Sequence, residues 1–238
     1  MKTVLHKANT RGYTNHEWLD SHHSFSFAEY YNPERMHFGV LRVLNDDRVA
    51  AGQGFGTHPH NNMEIISIPL EGDLEHKDSI GNVGVIKAGD IQAMSAGSGI
   101  LHAEYNANGD KEVAFLQIWI LPKKENVPPR YDQISIRDIG PNKRFKQILS
   151  PNAEDAGVWI HQDAWFYLCE LDEGKSETYT IKSEDNGLYA FVLEGECLIQ
   201  DQKLEKRDGF GVWDVEQIDI KASSKAKVLV MDVPMLDM

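Results

Sequence analysis

Residues 65–76, IISIPLEGDLEH, hold an apolar run, then Leu-Glu-Gly, then the start of another strand-like segment. The same order returns at residues 189–200, YAFVLEGECLIQ. A second echo lies beyond each copy: VIKAGDIQAMSAG (85–97) and KLEKRDGFGVWD (203–214) both set a glycine turn before a strand of similar length. Two β-domains of one type in tandem would produce such echoes. Outward from these anchors the chain reads as strand. MHFGVLRVLND (36–46), EIISIPLEG (64–72), GVIKAGDIQAM (84–94) and VAFLQIWILP (113–122) are short runs bounded by Gly, Pro, Asn or Asp. Their spacing of roughly ten residues is that of an all-β sandwich or barrel. The signals break at KKENVPPRYDQI (123–134), which is polar and carries Pro128-Pro129. They resume with QILS (147–150), WIHQDAWFYLCEL (159–171), ETYTI (177–181), GFGVWD (209–214) and KVLVMDVP (227–234). The expectation is a barrel over 1–122, a linker over 123–144 and a second barrel over 145–238. Helix is scarce, with its best candidate a short one in the linker or near SPNAEDAG (150–157).

Composition narrows the function classes. The chain has 238 residues, 41% of them hydrophobic, enough for a sizeable core. A formal net charge of −13 argues against a nucleic-acid binder, which needs a basic face. MKTVLHKANTRGYTNHEW lacks the apolar segment of a signal peptide, and no run reaches the ~18 apolar residues of a membrane span. Cys169 and Cys197 make no disulfide framework and read as two buried thiols in a reducing compartment. A cytoplasmic monomer acting on small molecules is expected, with no membrane or nucleic-acid partner.

The chemistry concentrates in GFGTHPHNNMEIISIPLEG (54–72) and GSGILHAEYN (97–106). A strand places residues i and i+2 on one face. His58 and His60 therefore point the same way, and so do His102 and Glu104 if their segment is extended. Brought together on facing strands, these pairs supply three nitrogens and one oxygen, a donor set suited to a redox-active divalent metal such as iron. A lone His-x-His is weak evidence, and most of the ten histidines need no metal. His6, His16, His37, His76 and His161 read as surface or hydrogen-bonded residues. Glu64, four residues after His60, is a further candidate.

These residues resemble the cupin superfamily. Its first motif, G-x5-H-x-H-x3–4-E-x6-G, is followed by Gly52, His58, His60, Glu64 and Gly72 with one residue displaced. Its second motif begins at Gly81 and Gly89, with Lys87 in the proline position, and reaches its histidine at His102. DSHHSFSFAEYYNPE (20–34), GQGFGTHPHNNMEI (52–65), LEGDLEHKDSIGN (70–82) and MSAGSGILHAEYN (94–106) look like the signatures of pirin and its bacterial relatives, densely in the N-terminal half and loosely beyond it. The resemblance implies a bicupin, two tandem double-stranded β-helix (jelly-roll) barrels, in agreement with the echoes.

In many cupins the first-motif glutamate would stand at Ile65. Counted back from Gly72, Glu64 is off by one, and a one-residue change of register turns a side chain to the other face. Ile65 is thus expected to face inward, Glu64 outward, and Glu104 to complete the coordination. The pirin resemblance implies the same ligands: His58, His60, His102 and Glu104. The C-terminal barrel, without a His-x-His and with His161 alone, reads as metal-free. Phe55, Met63, Met94 and Trp119 stand in or beside strands that could line a pocket, although core packing is the stronger reading of each.

The resemblance further implies quercetin 2,3-dioxygenase activity with one divalent metal per chain. Iron(II) is expected, and manganese, nickel, copper and zinc also suit the donors. Substrates would be a planar enol or flavonol and dioxygen, with Glu104 as general base. Two other readings stand beside it: a redox- or metal-sensing protein that regulates a protein partner, with incidental oxygenase activity, and a cupin isomerase or decarboxylase.

Overall fold

The computed structural model describes residues 1–140 and 144–236. Apart from two 3-10 turns, Ala8–Thr10 and Ile136–Asp138, every element is a strand. Of the short helix expected in the linker or near 150–157, the linker holds only the 3-10 turn Ile136–Asp138, and the described residues form no α-helix at either place. In the stretch 150–157 the Ser150 hydroxyl and the Asn152 side-chain oxygen accept the backbone N–H groups of Asn152 and Glu154, the local alternative to helix these residue types favour.

The strands form two cupin barrels, each a seven-stranded sheet with a four-stranded one. In the first barrel the large sheet runs Arg130–Ser135, Asp90–Ser95, Glu64–Glu71, Val113–Ile120, Leu41–Val49, Leu19–His23, Gly12–Asn15. Its small sheet runs Gly54–His60, Ile100–Asn106, Asp73–Asp78, Val83–Lys87. The second large sheet runs Lys2–His6, Gly209–Trp213, Asn186–Glu194, Ala226–Pro234, Trp165–Leu171, Phe145–Ser150, Val158–Trp159. The two echoes of the sequence occupy matching places. The Leu-Glu-Gly strands are third in each row, and the glycine-turn strands second.

The sheets divide the chain differently from the expected boundaries at both edges. Lys2–His6, read as part of the first barrel, pairs with Gly209–Trp213 at the edge of the second. Arg130–Ser135, inside the expected linker, pairs with Asp90–Ser95 at the corresponding edge of the first. Pro128-Pro129 is the approach to a strand, not the centre of a spacer. Each added strand covers an edge that would otherwise expose unpaired backbone groups.

The long apolar runs follow from layering. On Glu64–Glu71, Ser67 faces the barrel interior, where it meets Glu104. Ile66 and Ile68 face the other way, into one core with Ile148, Phe166, Tyr189, Phe191, Leu229 and Met231 of the second barrel. A strand buried on both faces reads as a continuous hydrophobic run rather than an alternation.

Candidate metal centre

Gly54–His60 and Ile100–Asn106 are antiparallel neighbours in the small sheet, with His102 opposite His58 and Ile100 opposite His60. Strand alternation therefore brings three imidazoles to one face. Their ring centroids are 4.9 Å apart for His58 and His60, 4.4 Å for His58 and His102, and 4.9 Å for His60 and His102. One ligand atom from each lies within 4.8 Å of the others. The pairing shifts register between His102 and Glu104. Glu104 falls into a second group, with His102 and His76, whose ligand atoms are also within 4.8 Å of one another. The two groups share His102, so Glu104 adjoins the three histidines through it.

The protonation states suit a cation. The His58 Nδ1 lies 2.7 Å from the Gly56 carbonyl oxygen. A carbonyl only accepts, so Nδ1 carries a proton, and in the neutral ring this tautomer leaves the Nε2 lone pair free for a metal. The His60 Nε2 and both His102 nitrogens are buried without a hydrogen-bond partner. Burial and the neighbouring imidazoles lower the His60 pKa to about 4 and the His102 pKa to about 2, so both are neutral near pH 7. Orphaned buried nitrogens are costly to leave unmet, and neutral imidazole is the form that binds metal. Glu104 is 3% exposed, and burial raises its pKa to about 7. Hydrogen bonds from the Ser67 hydroxyl (3.0 Å) and the Gln117 amide (3.1 Å) hold its two oxygens and oppose that rise. These donors fit a divalent metal.

Glu64 lies elsewhere. The chain turns at Asn62, which has a φ of 46°, and Glu64–Glu71 enters the large sheet. Ile65 packs with Met94, Ala96 and Ile100, against Met63 and Trp119. The Trp119 ring is 4.9 Å from His60. Glu64 is on the opposite face, where it accepts the Ser95 hydroxyl at 2.6 Å. The expected inward Ile65 and outward Glu64 match this geometry, but outward here is the barrel junction, and Glu64 is 1% exposed. Burial raises its pKa to about 7 against hydrogen bonds from Ser95 and the His161 backbone and the charge of Arg130. A raised carboxyl contributes stability fully below its unfolded pKa and loses it as pH rises through the folded value. Wild type should therefore lose about 1–3 kcal/mol relative to Glu64→Gln between pH 4.5 and 8. Urea unfolding of both proteins at each pH checks this. A stability difference that does not change with pH would contradict it.

Of the four pocket candidates, Met63, Met94 and Trp119 lie beside the histidines, with Phe27 edge-on to Trp119 at 5.3 Å. Phe55 does not. It packs on Trp18 at 5.3 Å in a separate cluster with Leu74, Ile86 and Phe115, so its role is core packing. An open cavity of about 570 Å³ is lined by Pro59, His60, Ser79, Ile100 and Leu101, and of the candidate ligands it touches His60 alone. A larger one of about 620 Å³, between the barrels at Arg137, Lys146 and Lys227, touches none of the candidate ligands.

His76 is what the sequence reading passed over. It is hydrogen-bonded, as expected, but fully buried and 5.4 Å ring to ring from His102. Its signal was present as His76-Lys77-Asp78, another i, i+2 pair. In the second barrel the interior is filled by Cys169, Leu188, Val192, Cys197, Phe210 and Ile218. Burial pushes both thiols up to about 12, leaving them inert. Among the described residues, both potential metal clusters lie in the first barrel.

Comparison with known proteins gives consistent matches. Residues 4–120 match the Pirin family model and residues 147–233 the quercetinase C-terminal cupin domain. The chain is 44% identical over 230 residues to quercetin 2,3-dioxygenase of Escherichia coli K12, covering 97% of this chain and 98% of that protein. It is 40% identical to a putative quercetin 2,3-dioxygenase of Pseudomonas aeruginosa, covering 93% and 95%. The crystal structure of the bacterial pirin YhhW from Escherichia coli in complex with nickel(II) superposes with a TM-score of 0.93 at 42% identity, covering 99% and 100%.

Proposed function

The chain belongs to the pirin family, and from that premise we propose that it is a metal-dependent dioxygenase of flavonol-like enols, of the quercetin 2,3-dioxygenase type. The observation that carries the reading is the convergence of three imidazoles beside one carboxyl group, with nitrogens of His60 and His102 buried and unpartnered. His58, His60, His102 and Glu104 would hold one divalent ion, taken as iron(II). Manganese, nickel, copper and zinc are served by the same donors, and the nickel-bound relative belongs to that range. Such an ion supplies Lewis acidity that lowers the pKa of a bound enol hydroxyl.

The protein's own groups supply the rest. Glu104 accepts the hydroxyl proton, because it is the carboxylate in the donor cluster. The Ser67 and Gln117 bonds set its orientation before the proton arrives. Trp119, Met63, Met94 and Ile65 form an apolar wall beside His60 that favours a planar ring system and keeps water away.

The test is iron-loaded protein mixed with quercetin in air, followed by loss of the flavonol absorbance. Elemental analysis of protein purified without chelator should give about one metal per chain. A fully loaded protein that leaves quercetin unchanged would set the dioxygenase reading aside in favour of a metal-sensing role toward a protein partner. Two tightly held metals would mean the second barrel binds one as well.

A further inference from the structure

His76 and Asp78 have no part in the reaction just described, yet they adjoin its base. His76 stands directly opposite Glu104 on the neighbouring strand, and Asp78 opposite His102. The His76 Nε2 lies 3.1 Å from the Asp78 Oδ2. Asp78 also accepts the backbone N–H of Ile80 at 3.0 Å, the backbone N–H of Asn82 at 2.9 Å and the Asn82 side-chain amide at 2.8 Å. So many donors favour its ionised form. A carboxylate only accepts, so Nε2 carries the imidazole proton and Nδ1 is left as a bare lone pair. The Tyr131 ring, 4.6 Å away and inclined by 32°, fixes the plane of the imidazole.

That Nδ1 is buried and has no hydrogen-bond partner. The large sheet offers matching unmet capacity. Gln92 is 1% exposed with neither amide atom paired, and it stands opposite Ser67, whose hydroxyl holds Glu104. Unsatisfied polar groups therefore flank Glu104 from both sheets. Among the described residues no group meets Nδ1 with a hydrogen bond, and a buried acceptor calls for a donor.

We propose that His76 is a positioning residue whose bare Nδ1 accepts a hydrogen bond from an O–H group held beside Glu104, fixing where that oxygen sits relative to the carboxylate. The O–H belongs to an internal water or to a second hydroxyl of the bound enol. The assignment rests on the flavonol reading given above.

The test uses metal-loaded full-length protein, without oxygen, and measures metal content and Kd for two flavonols. Quercetin carries a 5-hydroxyl beside its carbonyl group, and 3-hydroxyflavone lacks it. His76→Gln reaches the place of Nε2 but not that of Nδ1. It should keep one metal and weaken quercetin binding about tenfold, the scale of one lost hydrogen bond. His76→Asn, whose amide oxygen can stand where Nδ1 stands, should recover most of that loss. Asp78→Asn, which can donate to Nε2 and drive the proton to Nδ1, should weaken binding as His76→Gln does, and it decides the matter if His76→Gln does not fold. A loss confined to quercetin assigns the O–H to the substrate, and an equal loss for both flavonols assigns it to water. Unchanged binding in His76→Gln and Asp78→Asn overturns the proposal alone, and so does loss of the metal in His76→Gln. Wild type that binds neither flavonol overturns the substrate reading and this proposal with it.

Discussion

Glu104→Gln is expected to lower quercetin turnover by about 10²- to 10⁴-fold, the range for losing a positioned general base. The substitution keeps the shape of the side chain and leaves acceptor oxygen for the Ser67 hydroxyl, which now donates at 3.0 Å. It removes the negative charge and the proton acceptor together. Three imidazoles remain, so metal should still bind, more weakly. Glu64→Gln should change turnover far less, because Glu64 faces the barrel junction and Ser95. Steady-state kinetics on both variants, with metal content measured for each, makes the comparison. If Glu64→Gln strips the metal while Glu104→Gln stays loaded and active, the register argument fails and Glu64 returns to the ligand set.

His102→Ala is expected to abolish activity by removing the donor shared by both clusters. Metal affinity should fall by more than the roughly 10- to 100-fold that loss of an outer hydrogen-bond partner costs. The fold should survive. The barrels share a core built from Ile66, Ile118, Phe166, Phe191, Leu229 and Met231, none of which touches the centre. Metal-free wild type and metal-free His102→Ala should melt within about 4 °C of each other, the shift that ~1 kcal/mol produces in a chain of this size. His58→Ala should behave likewise. A variant unfolded at room temperature would make the metal a structural element.

Much of this was legible in the sequence, for identifiable reasons. Strand alternation turns His58-Pro59-His60 and His102-Ala103-Glu104 into shared faces, and the two Leu-Glu-Gly echoes occupy the same place in each sheet. Edge pairing was not legible. Lys2–His6 finds its partner more than 200 residues away at Gly209–Trp213, and backbone hydrogen bonds of that kind leave no mark on local composition. Arg130–Ser135 is intermediate in burial throughout, so it lacks the apolar run that identified the inner strands. The burial of Glu64 was hidden for a related reason. Outward from one barrel is inward to the pair, and only the packing of the second barrel turns that face into core. His76 was passed over because a histidine beside an aspartate reads as an ordinary hydrogen-bonded pair until the strand opposite is known to carry Glu104.

The central claim is that one metal sits among His58, His60, His102 and Glu104. The most direct measurement is a crystal structure of iron-loaded protein with anomalous scattering recorded above the iron edge. The account predicts one strong peak per chain within bonding distance of those four side chains, and none in the second barrel. A peak bonded to Glu64, or one in the second barrel, would contradict it.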